Sequence, residues 1–432
     1  MLIDRNKIEQ WNQKKQASHK SEFDFIANKL TARGLDVNSI VKKISNFKVA
    51  TPSWALGSGG TRFGRFPLGG EPGNLMQKME DVAVLKNLSN QTNSISLHIP
   101  WDIPSDANAI KQHAAQLGLK FDSMNSNTFQ DRSDFANAPN KESYKFGSLC
   151  HTKEAVREQA IKHNIECIEY GKALGSKSLT IWLAYGTTFP GQANFRKQFQ
   201  RTLDSMQKIY HYIPKDWNMF VEHKPYEPNF YSSVNCDWGS SLLLAKNIGE
   251  RCLCLVDLGH HLPNTNIEQV VSRVLMEGRL AGFHFNDSKY SDDDLTAGCL
   301  KPYQLFLIFN ELVEFLEGTE IKNPDLAWMI DASHNVKDPL EDLLQSLDAI
   351  SIAYTQALLI NRKALNDGQE NNDPTICQEL LQDAYRTDVR PLIAEARRLN
   401  GGAINPVQAY RDFNVRNTLI AERGKNVVST GL

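Results

Sequence analysis

The chain has 432 residues, 41% hydrophobic and 23% charged, and its 48 Lys and Arg against 50 Asp and Glu leave a net charge of −2. That length suits one large domain with extensions, and a near-neutral balance without a long basic block argues against a nucleic-acid partner. No 18-residue apolar run and no apolar N-terminal stretch marks a membrane span or signal peptide, so a cytoplasmic protein with no membrane partner is expected. The seven cysteines form no CxxC pair, and their odd number fits poorly with a secreted disulfide framework. Cys252 and Cys254 alternate in CLCLVDLG and read as small core residues.

In chain order, residues 1–45 read as an N-terminal helical extension, with the helical pattern over 3–45. Eight short runs rich in β-branched or aromatic residues follow, at 47–54, 94–100, 121–125, 178–183, 218–223, 252–258, 281–286 and 326–331. The third, FDSMN, is short and polar; its support is the helical look of 111–117 before it and the Asn-rich loop after it. Helical periodicity fills 152–175, 193–211, 238–249, 264–277 and 302–317, with Asn264 or Thr265 as the expected cap of the fourth. Eight strand candidates, mostly followed by helices and roughly 30 to 50 residues apart, predict an α/β fold, a (β/α)8 TIM barrel, over 46–335. Residues 336–432 form a C-terminal helical region in which one or two long helices, interrupted near Asn371 to Pro374, brace the barrel or pair subunits. Two long loops stand out, the glycine-rich 57–73 with Phe63 and Phe66, expected to close a pocket, and the polar 126–147.

The chemistry sits at the ends of the strand candidates. Glu222 and Lys224 are two apart and share a face, Asp257 ends the sixth run with His260 three residues on, His284 lies in the seventh, and Asp331 ends the eighth. In a parallel barrel these converge on one mouth. Asp292 and Asp294 in SDDDL reach one side of a loop while Asp293 points away. Taken singly, each has a plain alternative: an internal Glu222–Lys224 salt bridge, or a solvated acidic loop. Taken together, carboxylates with two imidazoles and no thiolate suit one or two divalent cations such as Mn2+, Mg2+ or Co2+. Glu222, Asp257, His284 and Asp331 are expected to make one site, and His260, Asp292 and Asp294 a second, either by themselves or sharing Asp257.

The segments GGTRF (59–63), SLHIPWD (96–102), MNSNTF (124–129), GSKSLTIW (175–182), FPGQANF (189–195), EHKPYEP (222–228), VDLGHHLPNTNIE (256–268), GFHFNDSKYSDDDL (282–295) and MIDASHNVKDP (329–339) closely resemble the L-rhamnose isomerase family in its Pseudomonas-type branch. The resemblance runs over nearly the whole chain, and Glu222 to Pro225 is an arrangement shared with xylose isomerases. It implies a structural cation on Glu222, Asp257, His284 and Asp331 and a catalytic cation on His260, Asp292 and Asp294, with Mn2+ the expected metal and Co2+, Mg2+ or Zn2+ as alternatives. It also implies an aldose substrate contacted by His98, Lys224 and Ser333, a pocket lined by Trp54, Phe63, Trp101 and Trp182, and a homotetramer in which Phe63 reaches a neighbour's site. Family members often carry Gly-Asp-Gly or Ala-Asp-Gly after the fourth strand; Ala184-Tyr185-Gly186 here removes a carboxylate near Trp182 and bears on sugar preference.

The implied reaction is aldose to ketose conversion, L-rhamnose to L-rhamnulose and related sugars. Its expected catalytic set is Lys224, which stabilises oxygen charge, His98, a base toward the anomeric hydroxyl, and the acids Glu222 and Asp331. Competing readings are another metal-dependent barrel enzyme such as a sugar epimerase or dehydratase, a phosphodiesterase resembling endonuclease IV, and a catalytically silent sugar-binding barrel.

Overall fold

The computed structural model describes residues 3–57, 66–131, 141–226, 231–290, 292–318, 325–333 and 336–425. Eight strands, β1 (Thr51–Pro52), β2 (Ser94–Ile99), β3 (Lys120–Ser126), β4 (Ser178–Trp182), β5 (Asn218–Glu222), β6 (Cys252–Asp257), β7 (Leu280–Phe285) and β8 (Ala327–Ile330), form one sheet in chain order. Every neighbouring pair is parallel. β1 is much shorter than the run at 47–54, because Pro52 has no N–H to give a ladder and the chain turns at once into a 3-10 helix, Ser53–Leu56. Closure falls to Ala50, whose N–H donates to Trp328 O at 2.7 Å while its carbonyl accepts from Ile330 N at 3.0 Å. The sheet is therefore a closed barrel.

Eight helices cover it: Leu75–Ser89, Ala107–Leu117, Glu154–Leu174, Phe195–Tyr212, Trp238–Ile248, Ile267–Met276, Pro302–Glu317 and Pro339–Ala357. The last packs between Pro302–Glu317 and Leu75–Ser89 and completes the ring, so the helical region after 336 begins with a helix of the barrel itself. The stretch 336–399, expected as one or two long helices, is four: Pro339–Ala357, Arg362–Glu370, Pro374–Arg386 and Arg390–Leu399. The break at 371–374 occurs as expected, with Asp373 capping and Pro374 opening the next helix. A further break comes at Asn361, whose side chain caps Arg362–Glu370 by accepting from Ala364 N, and another where Arg390–Leu399 starts with Pro391 in its first turn. The expected cap of Ile267–Met276 is also displaced. Thr265 Oγ1 donates to Leu262 O, Asn264 sits at φ +71°, and the helix starts after Asn266 without a side-chain cap.

Inside the barrel, Ala50, Phe220, Leu255, Ala281 and Met329 form a small apolar cluster, while the larger core lies between strands and helices. Phe220, Leu255 and Met329 are each two residues before a candidate ligand, Glu222, Asp257 and Asp331, so the acids occupy the next layer up on the same face. Ala281 and His284 are three apart and would point to opposite faces in a regular strand. The β6–β7 register resolves this: it runs from Cys254↔Leu280 to Leu255↔Gly282, a bulge that reverses the alternation. Gly282 is required there, since a Cβ would stand 1.9 Å from Ala327 O.

The N-terminal helices Arg5–Gln13, Gln16–Ala32 and Val37–Asn46 pack on the C-terminal region, with Trp11 Nε1 donating to Asp412 Oδ2 at 2.8 Å and Asn12 Nδ2 to Gly402 O at 2.9 Å. Cys252 and Cys254 are core residues, and burial pushes the Cys254 thiol up to about 12. Among the described residues, no single helix is long and apolar enough to cross a membrane.

Asp338 joins these parts. It accepts from Leu340 N to cap Pro339–Ala357, from Tyr410 Oη at 2.7 Å, and from Arg416 through two bonds of 2.6 and 2.8 Å. Burial alone would raise its pKa, but the Arg416 guanidinium outweighs that and holds it below the usual carboxylate range. A carboxylate so depressed stabilises the fold above its unfolded pKa and loses that contribution as pH falls through its folded value. Arg416→Met is expected to cost about 3 kcal/mol at neutral pH. In urea melts the difference from wild type should shrink below about pH 4; a difference independent of pH would contradict the assignment.

Candidate active site

Glu222 ends β5, Asp257 ends β6, His284 lies in β7 and Asp331 follows β8, and one ligand atom from each falls within 4.8 Å of the others. His284 Nδ1 is 3.0 Å from Glu222 Oε1, 3.4 Å from Asp331 Oδ2 and 3.7 Å from Asp257 Oδ2. Surrounding groups hold one oxygen of each aspartate. Asp257 Oδ1 accepts from Gly259 N at 2.7 Å and Asn286 Nδ2 at 2.9 Å, and Asp331 Oδ1 accepts from Trp54 Nε1 at 2.6 Å. Their other oxygens face the cluster, and Asp257 Oδ2 is buried with no hydrogen-bond partner among the described residues.

Three acids enclosed together cannot all remain charged without compensation. Burial, with Asp331 and Glu222 nearby, raises Asp257 to about 7 despite its histidine neighbours. Glu222, against the resistance of its own burial, is lowered to about 2 by His284 and His260, and burial of His284 is outweighed by Glu222 and Asp331, which raise it to about 9. Protonated imidazoles thus supply the charge balance that a divalent cation would supply. The donor set, three carboxylates and one imidazole with an open oxygen, fits such a cation.

His260, in the turn after β6, continues the cluster: its Nδ1 is 3.2 Å from Glu222 Oε1 and its Nε2 2.8 Å from Asp292 Oδ1. Asp292 Oδ2 in turn accepts from the Lys224 ammonium, which is fully buried and 4.8 Å from the Trp182 ring centroid. Asp292 and Asp294 both adopt left-handed backbone, φ +51° and +52°, an uncommon conformation that puts both residues at the cavity wall. Asp293 turns away and accepts from Lys289 N and Tyr290 N. His260, Asp292 and Asp294 line one cavity with Glu222, His284 and Asp331, although the four-residue cluster alone, among the described residues, brings its ligand atoms within 4.8 Å.

The opposite wall is aromatic. His98 meets Trp54 at 5.6 Å and Trp101 at 4.7 Å between ring centroids, and Phe129 packs edge-on against Trp182 at 4.3 Å. The Ser126 backbone lies against the His98 ring, where it slightly favours the charged imidazole, and the ring's Nε2 has no hydrogen-bond partner among the described residues. Burial, with smaller contributions from His163 and Lys78, lowers this imidazole to about 3 and keeps it neutral. Asp102 holds the wall in place, accepting from Lys78 Nζ at 2.7 Å, from His98 N at 2.8 Å and from Ser53 Oγ. Ser333 is buried beside the site, with its N–H on Asp294 O at 2.8 Å.

Two expectations need comment. Phe63 lies outside the described residues, and Phe66, from the same loop, is 62% exposed. Tyr185 does not face the cavity: its side chain is fully buried and its hydroxyl is 3.2 Å from Thr202 Oγ1 on Phe195–Tyr212. The position thus presents neither a carboxylate nor the tyrosine itself to the cavity. Residues not anticipated are Asn125 and Ser126, which line the cavity, and Asp102, Phe129 and Asn286, which support it. MNSNTF contained three of them, but polar residues at a strand end do not reveal which are enclosed.

A profile of the xylose isomerase-like TIM barrel family matches residues 92–340. The chain is 49% identical over 423 residues to a probable sugar isomerase of Rhizobium meliloti (strain 1021), covering 98% of this chain and 97% of that protein. It is 50% identical over 423 residues to a probable sugar isomerase of Mesorhizobium japonicum (strain LMG 29417 / CECT 9101 / MAFF 303099), covering 98% and 96%. In fold it is similar to an L-ribulose 3-epimerase structure, with a TM-score of 0.52 at 12% identity over 74% of this chain and 97% of that one. With its closed barrel and its acid and histidine cluster at the mouth, the chain belongs to the xylose isomerase-like TIM barrel family.

Proposed function

We propose that the protein is a divalent-metal-dependent aldose–ketose isomerase that converts L-rhamnose to L-rhamnulose and acts on related aldoses. The observation that carries this reading is the Glu222, Asp257, His284 and Asp331 cluster beside a buried Lys224 and a neutral His98. The likeness to two probable sugar isomerases supports it.

The four-residue cluster would hold one cation, and His260, Asp292 and Asp294 the second. A cation bound there supplies Lewis-acid polarisation of adjacent sugar oxygens. This chain's own groups do the rest. His98 Nε2 takes the proton of the anomeric hydroxyl as the ring opens. Lys224 is poised to exchange Asp292 for the C1 oxygen and to stabilise its developing charge. Trp54 and Trp182 present apolar faces to sugar C–H groups and exclude water. The acids lining the cavity, Glu222, Asp292, Asp294 and Asp331, are all assigned as ligands, so none is left to abstract a C2 proton. Hydrogen then passes directly from C2 to C1 as hydride, while the C2 hydroxyl gives up its proton to become the ketone and the C1 oxygen, beside the Lys224 ammonium, takes up a proton to become the alcohol.

Three measurements test the reading. Exhaustive chelation should abolish turnover of L-rhamnose, L-mannose, L-lyxose and D-allose alike, and Mn2+ or Co2+ should restore it; full activity in a metal-free preparation overturns the proposal. Glu222→Gln and Asp331→Asn should lower bound metal at the four-residue cluster, whereas His260→Ala should lower the second site selectively, as read by elemental analysis. Equal loss of both metals in all three variants would rule out separable sites. In D2O, early ketose product should contain almost no carbon-bound deuterium, and substantial label at C1 would establish proton transfer through an enediol.

A further inference from the structure

The cavity wall facing the metal cluster carries polar groups that the proposed reaction does not use. Asn125 and Ser126 end β3, are 6% and 1% exposed, and both line the cavity. The Asn125 amide nitrogen donates to Leu97 O at 3.1 Å and Ser123 O at 3.3 Å, so both of its hydrogens are spent on carbonyls. A flipped amide would set oxygen against two oxygens, which fixes the orientation and leaves Oδ1, an acceptor, to the cavity. Ser126 Oγ is enclosed and has no hydrogen-bond partner among the described residues.

A buried hydroxyl without a partner is a net cost to the fold, and such groups in native proteins are ordinarily satisfied by something. Here the space beside it is the cavity that also holds Glu222, His284 and Asp331. A fixed acceptor next to a rotatable hydroxyl matches a single alcohol, which donates its hydrogen to Asn125 Oδ1 and accepts from Ser126 Oγ. In the open chain that reacts, after His98 has served the anomeric hydroxyl, C1 and C2 belong with the metal ligands and Lys224 on the other wall. The alcohol meeting β3 is therefore on a carbon beyond C2.

We propose that Asn125 and Ser126 form a specificity subsite that reads one distal hydroxyl of the aldose, and that this subsite, rather than the Tyr185 position, sets sugar preference. The inference rests on the reading of the cavity as an aldose site. Sites built to hydrogen-bond a hydroxyl reject analogues that lack it far more strongly than apolar pockets reject a missing methylene.

The test is Ser126→Ala in the metal-loaded enzyme, with elemental analysis and thermal melting as controls. Metal content and melting temperature should stay at wild-type values, while kcat/KM for L-rhamnose falls by about tenfold or more. Binding of L-rhamnitol, followed by calorimetry without turnover, should weaken to a similar degree. In a series of 3-, 4- and 5-deoxy aldoses, one should be poor for wild type yet no worse than its parent sugar for Ser126→Ala, which identifies the hydroxyl. Ser126→Thr, which keeps the hydroxyl, should retain the wild-type discrimination. An active wild type with unchanged Ser126→Ala kinetics, or an equal loss on every deoxy sugar, overturns the subsite alone. A metal-loaded wild type that neither turns over an aldose nor binds the alditol removes the aldose reading, and the subsite with it.

Discussion

Everything at the mouth of this barrel follows from enclosing like charges. Glu222, Asp257 and Asp331 are held within a few ångströms by strands that also build the core, so their repulsion cannot be relieved by moving apart. The surrounding features answer that constraint: His284 and His260 pressed against the carboxylates, one oxygen of Asp257 and one of Asp331 tied by neutral donors, and a buried lysine on Asp292. Such a cluster is costly as a structural element, since well-packed apolar residues would stabilise a barrel at least as well. Its natural resolution is a doubly charged cation, and the low dielectric that makes enclosed like charges costly would make a bound ion effective.

The division of labour around the ring is uneven. The second half, β5 to β8, supplies the charged ligands, and the first half, β1 to β4, supplies rings, a neutral imidazole and uncharged hydrogen-bonding groups. A neutral wall suits a sugar, which has to be oriented by hydroxyl contacts without competing for the metal. Asp102 is the exception that supports the pattern. Its charge is spent on Lys78, and its other bonds fix the backbone of His98 and the turn that carries Trp54.

Much of this was legible from residue order because strands alternate. Glu222, Asp257 and Asp331 each stand two residues beyond an interior apolar side chain, and a period of two carries that relation to the mouth. His284 was placed correctly by its neighbourhood but not by parity, since the bulge at Gly282 depends on the close approach of the Ala327 backbone, a long-range contact that no local pattern records. The length of β1 was overestimated because β-branched composition says nothing about the proline that ends the ladder. Which way Tyr185 turns was not legible, because a residue beyond a strand end can point to either side, and Thr202 on a helix distant in sequence meets its hydroxyl. The short helices after 357 were merged because their apolar spacing continues across breaks that capping side chains impose.

The barrel closes through the backbone of Ala50, and a few residues further on Trp54 reaches Asp331 across the same join. The first and last strands thus meet twice, once by main chain and once by an indole on a metal-ligand candidate. In most barrels the junction of the two termini is a matter of stability alone. Here it also brings the neutral half into contact with the charged half, so that completing the ring and completing the site are one event. A nascent chain would hold most of the cluster before β8 is in place, but Asp331 joins Glu222, Asp257 and His284 only when the circle is shut.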